Sequence, residues 1–196
     1  IKPLDAHFAR SRLLYLENTW SGHVMPMPYL QQTTDWARQR GLATHLDGAR
    51  VMNAAVAQAQ TEGGDAWTEL RRIADLFDSV SICLSKGLGA PVGSVLCGSS
   101  ALMAKAHRWR KVLGGGLRQS GVLAAALHAL DHHVPGLAKD HALAQRLAAG
   151  LQGLPGMHVV SAQTNIVFLD VDHGLAPALL AHLRQDGVLA TGMARL

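Results

Sequence analysis

One amine stands out for the chemistry it could do: Lys86, in the run SICLSKGLGAPVGS. It sits between Ser85 and Gly87, directly after the apolar, strand-like stretch Asp78–Leu84. A lysine in that place is expected to be poorly solvated, and desolvation disfavours the ammonium form. The neutral amine is a nucleophile that can attack a carbonyl carbon and form a Schiff base. Upstream, HLDGAR puts Asp47 at the end of a second strand-like stretch and Arg50 on the turn that follows. An amine for a carbonyl, a carboxylate for a pyridinium nitrogen and a guanidinium for a substrate carboxylate together suggest pyridoxal phosphate chemistry.

Asp47 and Lys86 can act together only if the chain between them returns to the same end of one sheet. The sequence allows it. Val51–Gln60 and Trp67–Leu76 have helical patterns, separated by Glu62-Gly63-Gly64-Asp65, with Asp65 placed as a cap. Such a crossover brings the second strand back parallel to the first. Both residues then lie at carboxyl ends of parallel strands, where open α/β sheets bind ligands. Spacing alone also admits a plainer reading, in which Asp47 caps a helix and Lys86 is an ordinary loop lysine, because DGxR and SKG are short motifs.

The remaining pattern supplies the frame. Arg12–Glu17 and Leu42–Asp47 read as strands, and Tyr29–Arg40 as a helix stopped by Gly41. Ser79–Leu84 and Val92–Cys97 read as strands bracketing the Lys86 loop, paired antiparallel across a short Gly-Pro turn. Ser99–Lys111 is helical, and Gly114–Gly116 interrupts it. Arg118–His132 reads as an Ala/Leu-rich helix, apolar all round, to be buried in the core or between subunits. Beyond Pro135-Gly136 come a helix at Lys139–Gln152, strands near His158–Val160 and Asn165–Val171, a helix at Leu175–Gln185 and a strand at Val188–Thr191. The expected fold class is therefore α/β with a mostly parallel sheet over residues 1–134, followed by a smaller α+β domain over residues 135–196.

Composition narrows the classes. Of 196 residues, 48% are hydrophobic and 16% charged, so a large core is available and wholesale disorder is excluded. The net charge of +4 is mild, and the basic run His107–Lys111 reads as a solvated helix face. A nucleic-acid partner would need a longer stripe or a known module. Cys83 and Cys97 lie in apolar runs and read as buried thiols of a reducing compartment. No signal peptide or spanning segment is visible, which favours the cytoplasm and no membrane partner. The loop-like opening Ile1-Lys2-Pro3 and the closing Ala194-Arg195-Leu196 are expected to fall inside a longer polypeptide. His128, His132 and His133 have helical spacing, but no carboxylate or cysteine matches them, so no metal site is expected. His45 shares a strand face with Asp47, as a neighbour of the ligand or a satisfied histidine of the interior.

The stretches LENTWSGHVMP, HLDGARVMNAA, SICLSKGLGAPVGSVLCGS, LGGGLRQSGVLAAA and QTNIVFLDV resemble, in order, the threonine aldolase family. Its members are pyridoxal-phosphate enzymes of the aspartate-aminotransferase type (fold type I). The resemblance implies that Lys86 carries the cofactor covalently, with Ser85 and His45 beside it. It implies that Asp47 pairs with the pyridine nitrogen and keeps it protonated. Arg50 and Arg195 would grip the amino-acid carboxylate, and Arg118 would lie near the cofactor phosphate, across a subunit boundary. Gly87, Gly89 and Gly114–Gly116 would let backbone approach the phosphate, or simply form turns.

The implied reaction cleaves the Cα–Cβ bond of L-threonine, L-allo-threonine or a related β-hydroxy-α-amino acid to glycine and an aldehyde. The implied assembly is a homotetramer with active sites shared between subunits. A phenylserine-type specificity, β-elimination and racemisation are alternatives on the same scaffold, and a non-catalytic module is a third class. One departure matters. The family's Glu-Asn-Thr-His is Glu17-Asn18-Thr19-Trp20 here, and an indole N–H donates but accepts no proton. Three readings stay open: a base elsewhere (His23, a water, a histidine outside the chain), a larger or aromatic substrate lined by Trp20, or a neutral change.

Overall fold

The computed structural model describes residues 1–192; Arg195, with the rest of 193–196, lies outside the described residues. Three strands, β1 (Leu13–Glu17), β2 (Ala43–Gly48) and β3 (Ser79–Cys83), run parallel and adjacent in that order. β4 (Ser94–Gly98) closes the sheet antiparallel to β3. The crossovers are α1 (Met27–Gln39) and the pair α2 (Val51–Glu62) and α3 (Ala66–Ala74). The mostly parallel α/β sheet read from the sequence is present, its strand ends shifted by a residue or two.

Local chemistry sets where the helices begin and stop. Pro28 in the first turn of α1 gives up an N–H that has no partner there anyway. Gly63, left-handed at φ 78°, ends α2. The Asp65 side chain then accepts the backbone N–H groups of Trp67 and Thr68 to open α3.

Alternation along the strands decides what each face meets. Leu16, Leu46, Val80 and Ile82 pack on one side against Leu30 of α1, Val51 and Ala54 of α2, and Ile73 of α3. Leu30, Leu46, Val51 and Ile73 are fully buried, each contributing about 2 kcal/mol of apolar burial. Residues of the other parity, Tyr15, Glu17, His45, Asp47, Ser79 and Ser81, share the opposite face, which is polar and partly open.

A second core joins Met52 and Val56 of α2 to Leu84 and Leu88, and to Val134 and Leu137 further along the chain. The chain after β4 forms α4 (Ser100–Val112), α5 (Gly121–Ala124), α6 (His128–His132), α7 (Leu137–Leu151) and α8 (Ala176–Gln185). β5 (Met157–Ser161) and β6 (Phe168–Val171) make a separate two-stranded antiparallel sheet.

Three expectations are corrected. Arg118–His132 is not one helix but α5, a 3-10 turn at Ala125–Leu127, and α6. Only Ala126 and Ala129 of these elements are buried in the chain, so no continuous apolar stripe holds one axis, and Val122 is 82% exposed. Val188–Thr191 forms no strand, because the segment pairs with no neighbouring ladder, and Leu189 is 82% exposed. Cys83 is half-buried and Cys97 exposed, since β4 is an edge strand with little cover; both thiols are free.

Candidate functional site

The carboxyl ends of the three parallel strands gather the polar residues of the open sheet face. Asp47, at the end of β2, stands in register with Glu17 on one side and Ser81 on the other. The Tyr15 phenol donates to Asp47 Oδ2 at 2.5 Å, and the Ala49 N–H donates to Oδ1 at 2.9 Å. The Asn18 N–H donates to the Asp47 carbonyl at 3.0 Å, tying the loop after β1 to the end of β2. His45, two residues earlier on the same face, pairs through Nδ1 with the Ser79 hydroxyl at 2.8 Å. Its ring lies 5.6 Å from that of Tyr15. The hydrogen bond to Asp47 pushes the Tyr15 phenol up to about 12, with desolvation and the charges of Asp47 and Glu17 adding to it.

Gly48 explains the DG of the motif: a Cβ there would sit 2.6 Å from the Ser81 carbonyl oxygen and 2.9 Å from Val51 Cγ1. The chain can therefore pass from Asp47 into α2 against β3 only without a side chain. Arg50 is the half-buried residue that begins α2, and its Nε is buried without a hydrogen-bond partner. Arg50 and Asn53 pack close to Cys83 and Gly87, leaving between the turn after β2 and the Lys86 loop a seam too tight for a water molecule.

Lys86 corrects an expectation. It is exposed, not poorly solvated, because Leu84 and Leu88 take the buried positions and leave Ser85 and Lys86 on the outer side. The Gly89 N–H donates to the Lys86 carbonyl at 2.8 Å and closes the turn. Among the described residues the Lys86 amine makes no ion pair or hydrogen bond. The Cys83 thiol lies 3.4 Å from the Ser85 hydroxyl. Burial works to raise that thiol, but hydrogen bonds from Ser85 and the Lys86 charge outweigh it and leave it lowered.

The other anticipated residues are less gathered. Trp20 is 59% exposed on the loop after β1, backbone-bridged to His23, with rings 6.3 Å apart. That loop is held by the far unit, where Gln163 Oε1 accepts the Val24 N–H at 3.0 Å and the Thr164 hydroxyl donates to the Gly22 carbonyl at 2.7 Å. Arg118 is exposed on the turn before α5, and no ion pair or hydrogen bond among the described residues joins it to Asp47 or Lys86. No group of three His, Cys, Asp or Glu among the described residues is placed to hold a metal. A roomier cleft of about 330 Å³, lined by Val56, Trp67, Leu130 and Val134 together with Asp65 and Asp131, contains none of the anticipated residues and no lysine or arginine.

Tyr15 went unread in the sequence as a residue of this face, and Cys83 was read only as a buried thiol. The only signal was parity, since both occupy the same sheet face as Asp47 once the strands are paired.

An open α/β sheet with its polar groups at the carboxyl ends of parallel strands is built to bind a small molecule there. Residues 1–173 match the beta-eliminating lyase family, and the chain belongs to that family. It is 46% identical over 190 residues to the low specificity L-threonine aldolase of Escherichia coli (strain K12), covering 96% of this chain and 54% of that protein. It is 40% identical over 191 residues to low-specificity L-threonine aldolase 1 of Arabidopsis thaliana, covering 93% of this chain and 51% of that protein. The structure also matches that of Leishmania major threonine aldolase, with a TM-score of 0.75 over 98% of this chain and 54% of that one; at 21% identity this is a likeness of fold. The chain spans about half the length of the curated relatives it matches.

Proposed function

We propose that this protein is a pyridoxal-phosphate-dependent aldehyde-lyase that cleaves L-threonine, L-allo-threonine or a related β-hydroxy-α-amino acid to glycine and an aldehyde. The observation that carries the reading is an unpaired, exposed amine just past one strand and a carboxylate at the end of the parallel strand beside it. The residues present fit the cofactor. Lys86 offers an unpaired side chain, Asp47 keeps unused acceptor capacity on each oxygen, and Arg50 Nε is buried without a hydrogen-bond partner.

When bound, pyridoxal phosphate supplies a conjugated ring that takes up the electron pair released as a bond at the substrate's Cα breaks. The chain's residues do the rest. Lys86 is the covalent anchor, and Asp47 holds a proton at the ring nitrogen. Ser85 and His45 line the ring's surroundings. Arg50, with Arg195 from outside the described residues, grips the substrate carboxylate and so fixes which bond at Cα stands ready to break. Arg118, exposed on the turn before α5, would lie near the cofactor phosphate across a subunit boundary. Trp20 presents a flat apolar surface to the β-substituent, which favours a phenylserine-like substrate as the second reading; its indole takes no proton from the hydroxyl.

A homotetramer with shared sites is supported by the exposed Leu117, Val122 and Leu127 beside Arg118. A cytoplasmic location is supported by two free thiols. No described helix is long and apolar enough to cross a membrane. The division into a cofactor-binding domain over residues 1–134 and a smaller one over 135–196 is supported by the presence of two separate sheets, one ending at Gly98 and the other beginning at Met157, although Leu137 of α7 packs in the core of the first.

The test is a product assay on the full-length protein with threonine, allo-threonine, phenylserine and serine. Glycine plus aldehyde from the β-hydroxy substrates is the expected outcome. Ammonia plus the corresponding 2-oxo acid (2-oxobutyrate from threonine, pyruvate from serine) with no aldehyde would assign β-elimination instead, and no turnover of any of the four would reject the proposal.

A further inference from the structure

Resting on the reading of Asp47 as partner of the ring nitrogen, we propose that Tyr15 is a positioning residue, whose phenol aims the Asp47 carboxylate and keeps the proton between them on the nitrogen. The register pairs Tyr15 with His45, one step short of Asp47, so the phenol reaches forward along the open face to Oδ2 at 2.5 Å. With Oδ1 held by the Ala49 N–H at 2.9 Å, both oxygens are fixed from different directions. The plane of the carboxylate is thereby set, and each oxygen retains a lone pair for an incoming donor.

Packing gives no other reason for Tyr15. It belongs to neither buried cluster and is 54% exposed. Its ring rests instead beside His45, which the Ser79 hydroxyl holds from β3, so three strands brace one phenol. The hydrogen bond to Asp47, with desolvation and the charges of Asp47 and Glu17 adding to it, pushes that phenol up to about 12, so it is a donor throughout the physiological range.

The consequence concerns one proton. Between a carboxylate and a pyridine nitrogen it rests on nitrogen, giving an ion pair, or on oxygen, giving a neutral pair. A donor to the carboxylate stabilises the charged oxygen and so favours the first. Removing the phenol takes that donor away and frees the Asp47 carboxylate to rotate.

The test compares wild type and Tyr15→Phe in the full-length protein loaded with ring-¹⁵N pyridoxal phosphate. In Tyr15→Phe the nitrogen resonance should move toward the neutral-pyridine position, and cofactor affinity should fall about tenfold, as expected for loss of one hydrogen bond to a charged group. Circular dichroism matching wild type excludes misfolding as the cause. In the cofactor-free protein, ultraviolet titration should show a phenol ionising near 12 that is absent in Tyr15→Phe and drops toward 10 in Asp47→Asn. An unmoved nitrogen resonance and unchanged affinity in Tyr15→Phe, with wild type binding at Lys86, would overturn this proposal and leave the proposed function standing. A wild-type protein that takes up no pyridoxal phosphate would overturn both.

Discussion

Asp47 carries a charge at the edge of a half-open face, and it is held there by groups from its own strand turn and from β1. Replacing it by Ala should leave cofactor attachment measurable while lowering kcat by at least about 100-fold, since electrostatic stabilisation of developing charge is the large term. Trp20 tests specificity. In Trp20→Ala, KM for phenylserine should rise about tenfold while KM for threonine changes little, because a pocket surface worth 1–3 kcal/mol serves only the larger group. Steady-state kinetics with both substrates checks this, and equal changes would remove Trp20 from the substrate pocket. The strand ends that carry Asp47 and precede Lys86 were legible because short apolar runs stop there. Tyr15 was not, because its partner lies across a strand pair and no spacing announces lateral register. The exposure of Lys86 was misread for a related reason: a loop's apolar flanks do not say which of its residues face inward.

The elements place these residues through one buried sheet face, so that face sets the stability. Ile73→Ala should cost about 3 kcal/mol, as a fully buried side chain against β2 and β3, measured by denaturant unfolding. Gly48→Ala should also destabilise, through the 2.6 Å approach to the Ser81 carbonyl oxygen, and should weaken cofactor binding by moving Asp47. Unchanged unfolding midpoints would contradict the packing described. β1 to β4 were readable because short apolar runs between Gly, Pro and polar breaks leave few alternatives. Arg118–His132 was not, since Ala and Leu favour helix at every position while only Ala126 and Ala129 find a core to dock on. Val188–Thr191 has strand composition and no partner strand, and composition cannot supply one.

At the scale of the molecule, α7 ties the region after Pro135 to the core beneath α2 and the turn after β3. Leu137 is fully buried in the same core as Leu84 and Leu88, which flank Lys86. Beside it His141, buried on α7, accepts through Nε2 from the Asn53 amide at 3.1 Å in its neutral tautomer. Burial pushes the His141 imidazole down, against the opposing pull of Asp140. A folded value below the ordinary 6.5 means the unfolded chain binds the proton more readily. His141 therefore contributes stability that is fully present above about 6.5 and is lost as pH falls through the lower folded value. Unfolding midpoints should drop as pH falls below about 6.5, and His141→Gln should flatten that drop. None of this was visible in the sequence, where Asn53 and His141 are 88 positions apart.

The account stands or falls on where the cofactor is bonded. Incubating the full-length protein with pyridoxal phosphate, reducing it with borohydride and mapping the modified peptide by mass spectrometry reads this directly. The label should fall on Lys86 and vanish, together with turnover, in Lys86→Ala. A label on any other lysine, or full turnover in Lys86→Ala, would contradict it.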